Sequence, residues 1–324
     1  MYRNADILKI ENIQKKYFYL TWKMTGWCNY HCPYCINSNG RSNFTKWVPE
    51  EKMIEKAKRL NTILENNKII LPLKIKLIGG EVCYYNLWNI LDEFNNISKL
   101  LITTNFSREL GYYKKLYNYC NSRGISLLLI LSYHSENIEF KEKVRELTYW
   151  CRNLNFPEPQ IVYVVTPDFN FDDLEYYKEN KINRLKFIVE KTKETSMITL
   201  SEEQQQKLEY YTKLYDSNSR TYKVTFKDGS VEYFSNIYQF LNKLDNGGFI
   251  ADNYYCDAGM NKLTLSYDDI LYLNRCKFID NIHLGSIWDD IKIDNKNVLC
   301  KATDEDNPNF RCNLCSSISV WKNI

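Results

Sequence analysis

The residues with the most chemistry in them are thiols. The segment Trp27-Cys28-Asn29-Tyr30-His31-Cys32-Pro33-Tyr34-Cys35 sets three cysteines at C-x3-C-x2-C spacing. Thiolates this close can hold one compact metal centre. A structural zinc site normally closes with four ligands. No fourth cysteine lies nearby, and His31 abuts Cys32, an awkward position for sharing one ion. A cubane 4Fe–4S cluster on three cysteines instead leaves one iron open to a small chelating ligand. A second group, Cys256, Cys276, Cys300, Cys312 and Cys315, falls near the other end of the chain. Cys312-Asn313-Leu314-Cys315 is a tight C-x2-C pair. Together with Cys256 and Cys276 it can close around one centre, a cluster or a four-cysteine zinc ribbon.

The 11 cysteines stand against three histidines. An odd count, with a polar segment rather than a secretory signal over 1–16, argues against a disulfide framework and for a reducing, cytoplasmic setting. Two cysteines outside the motifs, Cys120 and Cys151, are read as small apolar side chains. The 43 Lys+Arg against 40 Asp+Glu leave a net charge of +3, far from the excess of a dedicated nucleic-acid binder. The basic run Lys181, Arg184, Lys186, Lys191 and Lys193 reads as a solvated face. The longest apolar stretch, near 125–131, is too short to cross a bilayer. With 44% hydrophobic and 26% charged residues the chain is globular, and its 324 residues suggest about two domains.

The elements that must position these thiols alternate. The pattern predicts strands at 17–23, 73–78, 100–103, 126–132, 160–165 and 185–189. Helices are predicted at 50–66, 85–95, 110–123, 138–152 and 172–179. Residues 126–131 read as a strand buried on both faces. Alternation implies parallel pairing, with functional loops at the strand C-termini. The economical reading is an α/β fold, a partial (β/α)6 TIM barrel; an open doubly wound sheet is the alternative. Beyond about residue 200 the pattern changes to a polar helix at 202–215, a hairpin at 222–234 and another at 262–274 around Asp268-Asp269. The expected division is a barrel over 1–199 and a small α+β extension over 200–324.

The cysteine motif after the first predicted strand resembles that of the radical S-adenosylmethionine (radical SAM) superfamily. Further matches stand at the ends of later predicted strands. Gly79-Gly80-Glu81 is similar to the family's motif for the methionyl amino group. Thr103-Thr104-Asn105 is similar to its T-N-G, with Phe106 in place of the glycine. Ser132 closes the fourth predicted strand, where the family contacts the nucleoside, and Tyr34 matches the position beside the adenine. The resemblance implies Cys28, Cys32 and Cys35 as ligands of a 4Fe–4S cluster and Tyr34, Gly79, Gly80, Glu81, Asn105 and Ser132 as the S-adenosylmethionine site. The second cysteine group, with His283-Leu284-Gly285-Ser286-Ile287 following Cys276, resembles the SPASM/Twitch auxiliary-cluster extension. Five cysteines suit the one-cluster Twitch form, with Cys256, Cys276, Cys312 and Cys315 as ligands.

The implied activity is reductive cleavage of S-adenosylmethionine to a 5′-deoxyadenosyl radical that takes a substrate hydrogen, as an oxidoreductase or isomerase. Peptide modification (epimerisation, dehydrogenation or cross-linking) is the first expectation. Only 27 residues precede Cys28, short of the leader-binding domain many peptide maturases carry. A sugar or amino-acid substrate, or a nucleobase or nucleotide as in phage-type thymidine isomerases, is the alternative. Cys83 or Cys300 is a candidate hydrogen donor, and Cys300 an alternative ligand. A flavodoxin or ferredoxin is the expected one-electron reductant. Nucleic acid is not a favoured partner, and a membrane is not expected. A reading of another class is a non-enzymatic zinc-binding interaction protein.

Overall fold

The structure is a computed structural model. It describes residues 3, 6–12, 17–32, 35, 47–134, 137–165, 169, 171–189, 200–215, 222–234, 240, 243–244, 255–256, 262–273, 282–293, 298–299 and 320–321. The chain opens with β1 (Ile7–Asn12) and β2 (Phe18–Lys23). It continues through α1 (Glu50–Asn66), β3 (Leu73–Ile78), α2 (Leu87–Leu91), β4 (Ile97–Thr104), α3 (Leu110–Ser122), β5 (Ser126–Ser132), α4 (Phe140–Asn153), β6 (Gln160–Val165), α5 (Asp172–Glu179), β7 (Leu185–Val189) and α6 (Glu202–Tyr215). Strands β2 to β7 pair parallel and in chain order. This is the partial TIM-barrel arrangement that alternation predicts. Among the described residues no strand pairing closes the sheet on itself.

One face of the sheet carries the core. Leu20 and Trp22, Ile75 and Leu77, Leu100 and Ile102, Leu127 and Leu129, and Ile161 and Tyr163 are all buried. They pack with Met53, Ala57 and Leu60 of α1, Leu116 of α3 and Val144 and Leu147 of α4. Each such side chain contributes about 1.5–3 kcal/mol when fully buried. The intervening residues face the other way and are mostly half-buried or exposed. β5 reads exposed, buried, half-buried, buried, half-buried, buried, half-buried. Its apolar run is therefore not buried on both faces as expected. Leu128 and Ile130 line the concave side instead, where no helix packs on the described core.

The predicted helix over 85–95 is shorter than its pattern. A 3-10 turn (Val82–Tyr84) and α2 replace it. Glu50 at the start of α1 accepts from the Asn86 N–H at 2.9 Å and from Asn89 at 2.8 Å. Tyr85 reaches the Val48 carbonyl at 2.9 Å. These ties pin the segment before a long helix can form.

The remaining strands are β8 (Tyr222–Phe226), β9 (Val231–Phe234), β10 (Tyr255–Cys256), β11 (Lys262–Leu265), β12 (Ile270–Leu273), β13 (Ile282–Ser286), β14 (Val298–Leu299) and β15 (Val320–Trp321). β11 pairs parallel with β2 and continues the barrel sheet into β12 and β13. A second sheet runs β14-β10-β15-β1-β8-β9. Residues 287–293 return along α1. Arg59 Nε donates to the Ile287 carbonyl at 2.9 Å, Asn67 Nδ2 donates to the Ile291 carbonyl at 2.9 Å, and the Lys52 ammonium lies 4.0 Å from the centre of the Trp288 ring. Lys56, almost fully buried, forms an ion pair with Asp269 in the β11–β12 turn. Lys56→Met keeps the stem and leaves Asp269 without its cation. We expect a loss of about 1–3 kcal/mol, between the limits for exposed and buried pairs, read as a lower urea midpoint.

Candidate functional site

The end of β2 and the end of β3 are stitched together. Met24 N donates to the Ile78 carbonyl at 2.8 Å, Gly80 N to Thr25 at 2.6 Å and Glu81 N to Trp27 at 2.9 Å. A Cβ on Gly79 would stand 2.3 Å from the Thr25 carbonyl oxygen, and one on Gly80 1.8 Å from that of Trp27. Both contacts are with backbone, which cannot swing aside. The two glycines are thus what lets β3 approach the loop that carries Cys28. Trp27 itself is braced edge-on by Trp47 and Tyr84, at 5.2 and 4.8 Å between ring centres.

Cys28 and Cys35 are half-buried and Cys32 is buried. The Cys28 sulfur receives the Tyr30 N–H at 3.4 Å and Asn105 Nδ2 at 3.6 Å. Burial pushes the Cys28 thiol up, and the Tyr30 donor pulls against it. Cys32 Sγ lies 3.0 Å from His134 Nδ1, and Cys35 N donates to the Cys32 carbonyl at 3.1 Å.

Glu81 is fully buried and organises the next loop. Its carboxylate accepts from Cys83 N at 2.8 Å, Thr104 Oγ1 at 2.7 Å and Asn105 N at 2.6 Å. Burial pushes this carboxyl up against the pull of those donors. Asn105 turns its amide toward the cysteine loop, donating to Asn29 Oδ1 at 2.8 Å as well as to Cys28. The following residue, Phe106, has φ +59°, the left-handed region that favours glycine. That conformation costs on the order of 1–2 kcal/mol for a residue with a Cβ. The surroundings hold it there. Lys143 Nζ donates to the carbonyls of Phe106 at 3.0 Å and Arg108 at 2.8 Å, and Asn137 Nδ2 to that of Phe106 at 3.1 Å. The buried Phe106 ring packs on Tyr113 at 4.5 Å.

The expected site residues divide accordingly. Cys28, Cys32, Cys35, Gly79, Gly80, Glu81 and Asn105 share one end of the parallel sheet, joined by the contacts above. Ser132 ends β5, half-buried, beside Val162 of β6. Cys83 is fully buried in the core beside Glu81 and Thr104, and burial pushes its thiol well up. Cys120 and Cys151 are also fully buried, each pushed up to about 12. Cys256 lies on β10, paired with Val298 of β14 and Val320 of β15. Tyr34, Cys276, Cys300, Cys312 and Cys315 fall outside the described residues. Sequence reasoning missed His134, although one of only three histidines two residues past a predicted strand end was a signal. It also missed Asn29 and Lys143, whose roles arise only from tertiary contact.

Three thiols on one loop, with N–H groups aimed at a sulfur, match cluster ligation, in which hydrogen bonds to the sulfurs tune the centre. A cubane takes each thiolate on a different iron, so the sulfurs need not meet at one point. Among the described residues no three His, Cys, Asp or Glu side chains converge on a single ion. The residues present fit the group.

No family model and no curated protein matches the chain. Among solved structures it is similar to Streptococcus suis SuiB bound to precursor peptide SuiA, at 14% identity and a TM-score of 0.52, over 85% of this chain and 63% of that one. Streptococcus suis SuiB bound to S-adenosylmethionine matches at 15% identity and 0.49, over 85% and 64%. A structure described as native anSMEcpe with bound AdoMet matches at 16% and 0.47, over 84% and 78%. The chain thus spans just under two thirds of the length of SuiB, and its likeness to the peptide-bound SuiB structure establishes a shared fold.

Proposed function

We propose that this chain is a radical S-adenosylmethionine enzyme acting on a peptide. The observation that carries the reading is the meeting of three motifs from distant parts of the chain. Asn105, held by Glu81, donates to Cys28, while Gly79-Gly80 lies against Thr25 and Trp27. When bound, a 4Fe–4S cluster with S-adenosylmethionine on its open iron supplies reductive cleavage of the sulfonium and abstraction of a substrate hydrogen.

The chain's own residues do the holding. Cys28, Cys32 and Cys35 are the ligands. Tyr30 N and Asn105 Nδ2 steady the Cys28 sulfur. Glu81 shapes the cofactor's side of the site by holding the N–H groups of Cys83 and Asn105 and the Thr104 hydroxyl in place. Gly79, Gly80, Asn105, Ser132 and Tyr34 are assigned to the S-adenosylmethionine site. The peptide reading is supported by the shared fold, since SuiB is bound to a precursor peptide in the matching structure. Residues 200–324 are assigned to a Twitch-type auxiliary cluster on Cys256, Cys276, Cys312 and Cys315. Residues 1–199 are assigned to the catalytic barrel, and a flavodoxin or ferredoxin to the reductant. Of the two hydrogen-donor candidates, Cys83 is enclosed in the core, which leaves Cys300. No helix among the described residues is long and apolar enough to cross a membrane.

The test is anoxic purification with metal analysis, then incubation with S-adenosylmethionine and dithionite. A brown protein that forms 5′-deoxyadenosine is expected. A colourless, zinc-loaded protein that leaves S-adenosylmethionine intact would refute the reading.

A further inference from the structure

Cys32 is the buried member of the motif; Cys28 and Cys35 are half-buried. Negative charge on a sulfur shut off from water is costly unless a donor stands beside it. For Cys28 the donors are Tyr30 N and Asn105 Nδ2, at 3.4 and 3.6 Å. Cys32 has His134, whose Nδ1 stands closer, at 3.0 Å. A free thiol can donate to an imidazole nitrogen. A sulfur bound to iron carries no proton, so the bond then needs the hydrogen on Nδ1. One neutral tautomer of the imidazole supplies it, with the lone pair on Nε2, and no change of charge is involved.

The surroundings hold His134 in this position. Tyr133 N donates to the Val162 carbonyl at 2.9 Å, which fixes the end of β5 on β6, and the His134 carbonyl accepts from Asn137 N at 3.1 Å. Asn137 Nδ2 donates in turn to the carbonyls of Phe106 at 3.1 Å and Asn105 at 3.4 Å. The Asn105 amide then reaches Cys28. A continuous path of contacts thus runs from Cys32 through His134, Asn137 and Asn105 to Cys28. Tyr30 ties the same two sulfurs a second time. Its N–H addresses Cys28, and its ring meets that of His134 at 65°, with 5.3 Å between centres. Ser132 stands two residues before His134, so the strand end assigned to S-adenosylmethionine also carries the donor to Cys32.

Hydrogen bonds to ligand sulfurs, together with burial, set the potential of an iron–sulfur centre. Reduction adds one electron, and a donor bonds more strongly to a more negative sulfur. The imidazole keeps its proton, and no bond is made or broken at His134. We infer that His134 is a positioning residue for the cluster, fixing the Cys32 sulfur through Nδ1–H and raising the potential at which the electron is accepted. This rests on the radical reading above and adds to it a residue outside the motifs.

The test is a redox titration of the reconstituted full chain, followed by EPR under anoxic conditions. The signal that changes when S-adenosylmethionine is added reports on the site at Cys28, Cys32 and Cys35. His134→Phe keeps a ring against Tyr30 and removes the donor. Its reduction should be about tenfold less favourable, a potential about 59 mV lower for one electron. His134→Asn places an amide nitrogen near the Nδ1 position and should stay close to the parent. A merely structural role would move the two variants together. A second measurement does not need His134→Phe to load. Parent protein grown on heavy-nitrogen histidine should show a histidine coupling to the reduced cluster in pulsed EPR, and His134→Asn should lose it, while His31 and His283 carry the label in both. An unshifted potential in His134→Phe, an equal shift in His134→Asn, or a coupling that is absent from the parent or survives in His134→Asn overturns the inference. A parent that takes up no cluster overturns this inference and the radical reading together. A parent that forms 5′-deoxyadenosine, with His134→Phe at the parent's potential, overturns this inference alone.

Discussion

A protein with Cys28, Cys32 and Cys35 all replaced by alanine is expected to form no 5′-deoxyadenosine above background, and to carry about four fewer irons per chain after reconstitution. The effect should be all or none because the thiolates are the attachment itself. Single replacements should be nearly as severe. Cys28→Ala removes the sulfur that Tyr30 N and Asn105 Nδ2 address. Cys32→Ala removes the one beside His134. The fold should survive, since the loop is set by backbone bonds from Gly80 and Glu81 rather than by the thiols. An unchanged far-UV spectrum with loss of brown colour is the expected pair of observations. A triple variant that still cleaves S-adenosylmethionine would sink the assignment of these residues.

Replacing Glu81 by alanine should damage the protein more broadly. The N–H groups of Cys83 and Asn105 lose their acceptor inside a dry site. Thr104 can turn its hydroxyl to Tyr113 Oη, 3.4 Å away, but the two N–H groups have no such freedom. At roughly 1–3 kcal/mol for each orphaned donor, the loss is about 2–6 kcal/mol. That is a large share of a typical stability of about 5–15 kcal/mol. Glu81→Gln keeps the shape and one acceptor oxygen and should cost less, but its NH₂ group must face an N–H. The measurement is urea unfolding of alanine, glutamine and parent proteins, with iron retention as the readout at the site. Equal midpoints for all three would show that the carboxylate does not hold this loop.

Much of this arrangement was legible before any coordinates. β3, β5, β6 and β7 fall where strand-length apolar runs are bounded by turn residues, and both hairpins follow from their turns. The C-x3-C-x2-C loop and Gly79-Gly80-Glu81 were readable because each motif is local. The second sheet was not. β10, β14 and β15 are two residues long and carry no period, and β1 gains its identity from β8 and β15. Nor could spacing bring His134 to Cys32, 102 positions away, since that approach depends on how β2 and β5 share one sheet. Phe106 was visible as a departure from glycine. Its left-handed backbone, and the Lys143 and Asn137 bonds that sustain it, were not.

The second sheet also sets an order of events during synthesis. β1 leaves the ribosome well before its neighbours, which are residues 222–226 on one side and 320–321 on the other. Until residues 222–226 have emerged β1 has neither of these neighbours, while β2 to β7 can already assemble from contacts closer in sequence. Pairings this distant form slowly, because a long loop must close before they gain anything. The cysteine loop at 28–35 lies between these two regimes. Strands β2 to β7, which support it, can be assembled while β1 still waits for a partner, so metal insertion and completion of the second sheet can proceed in either order.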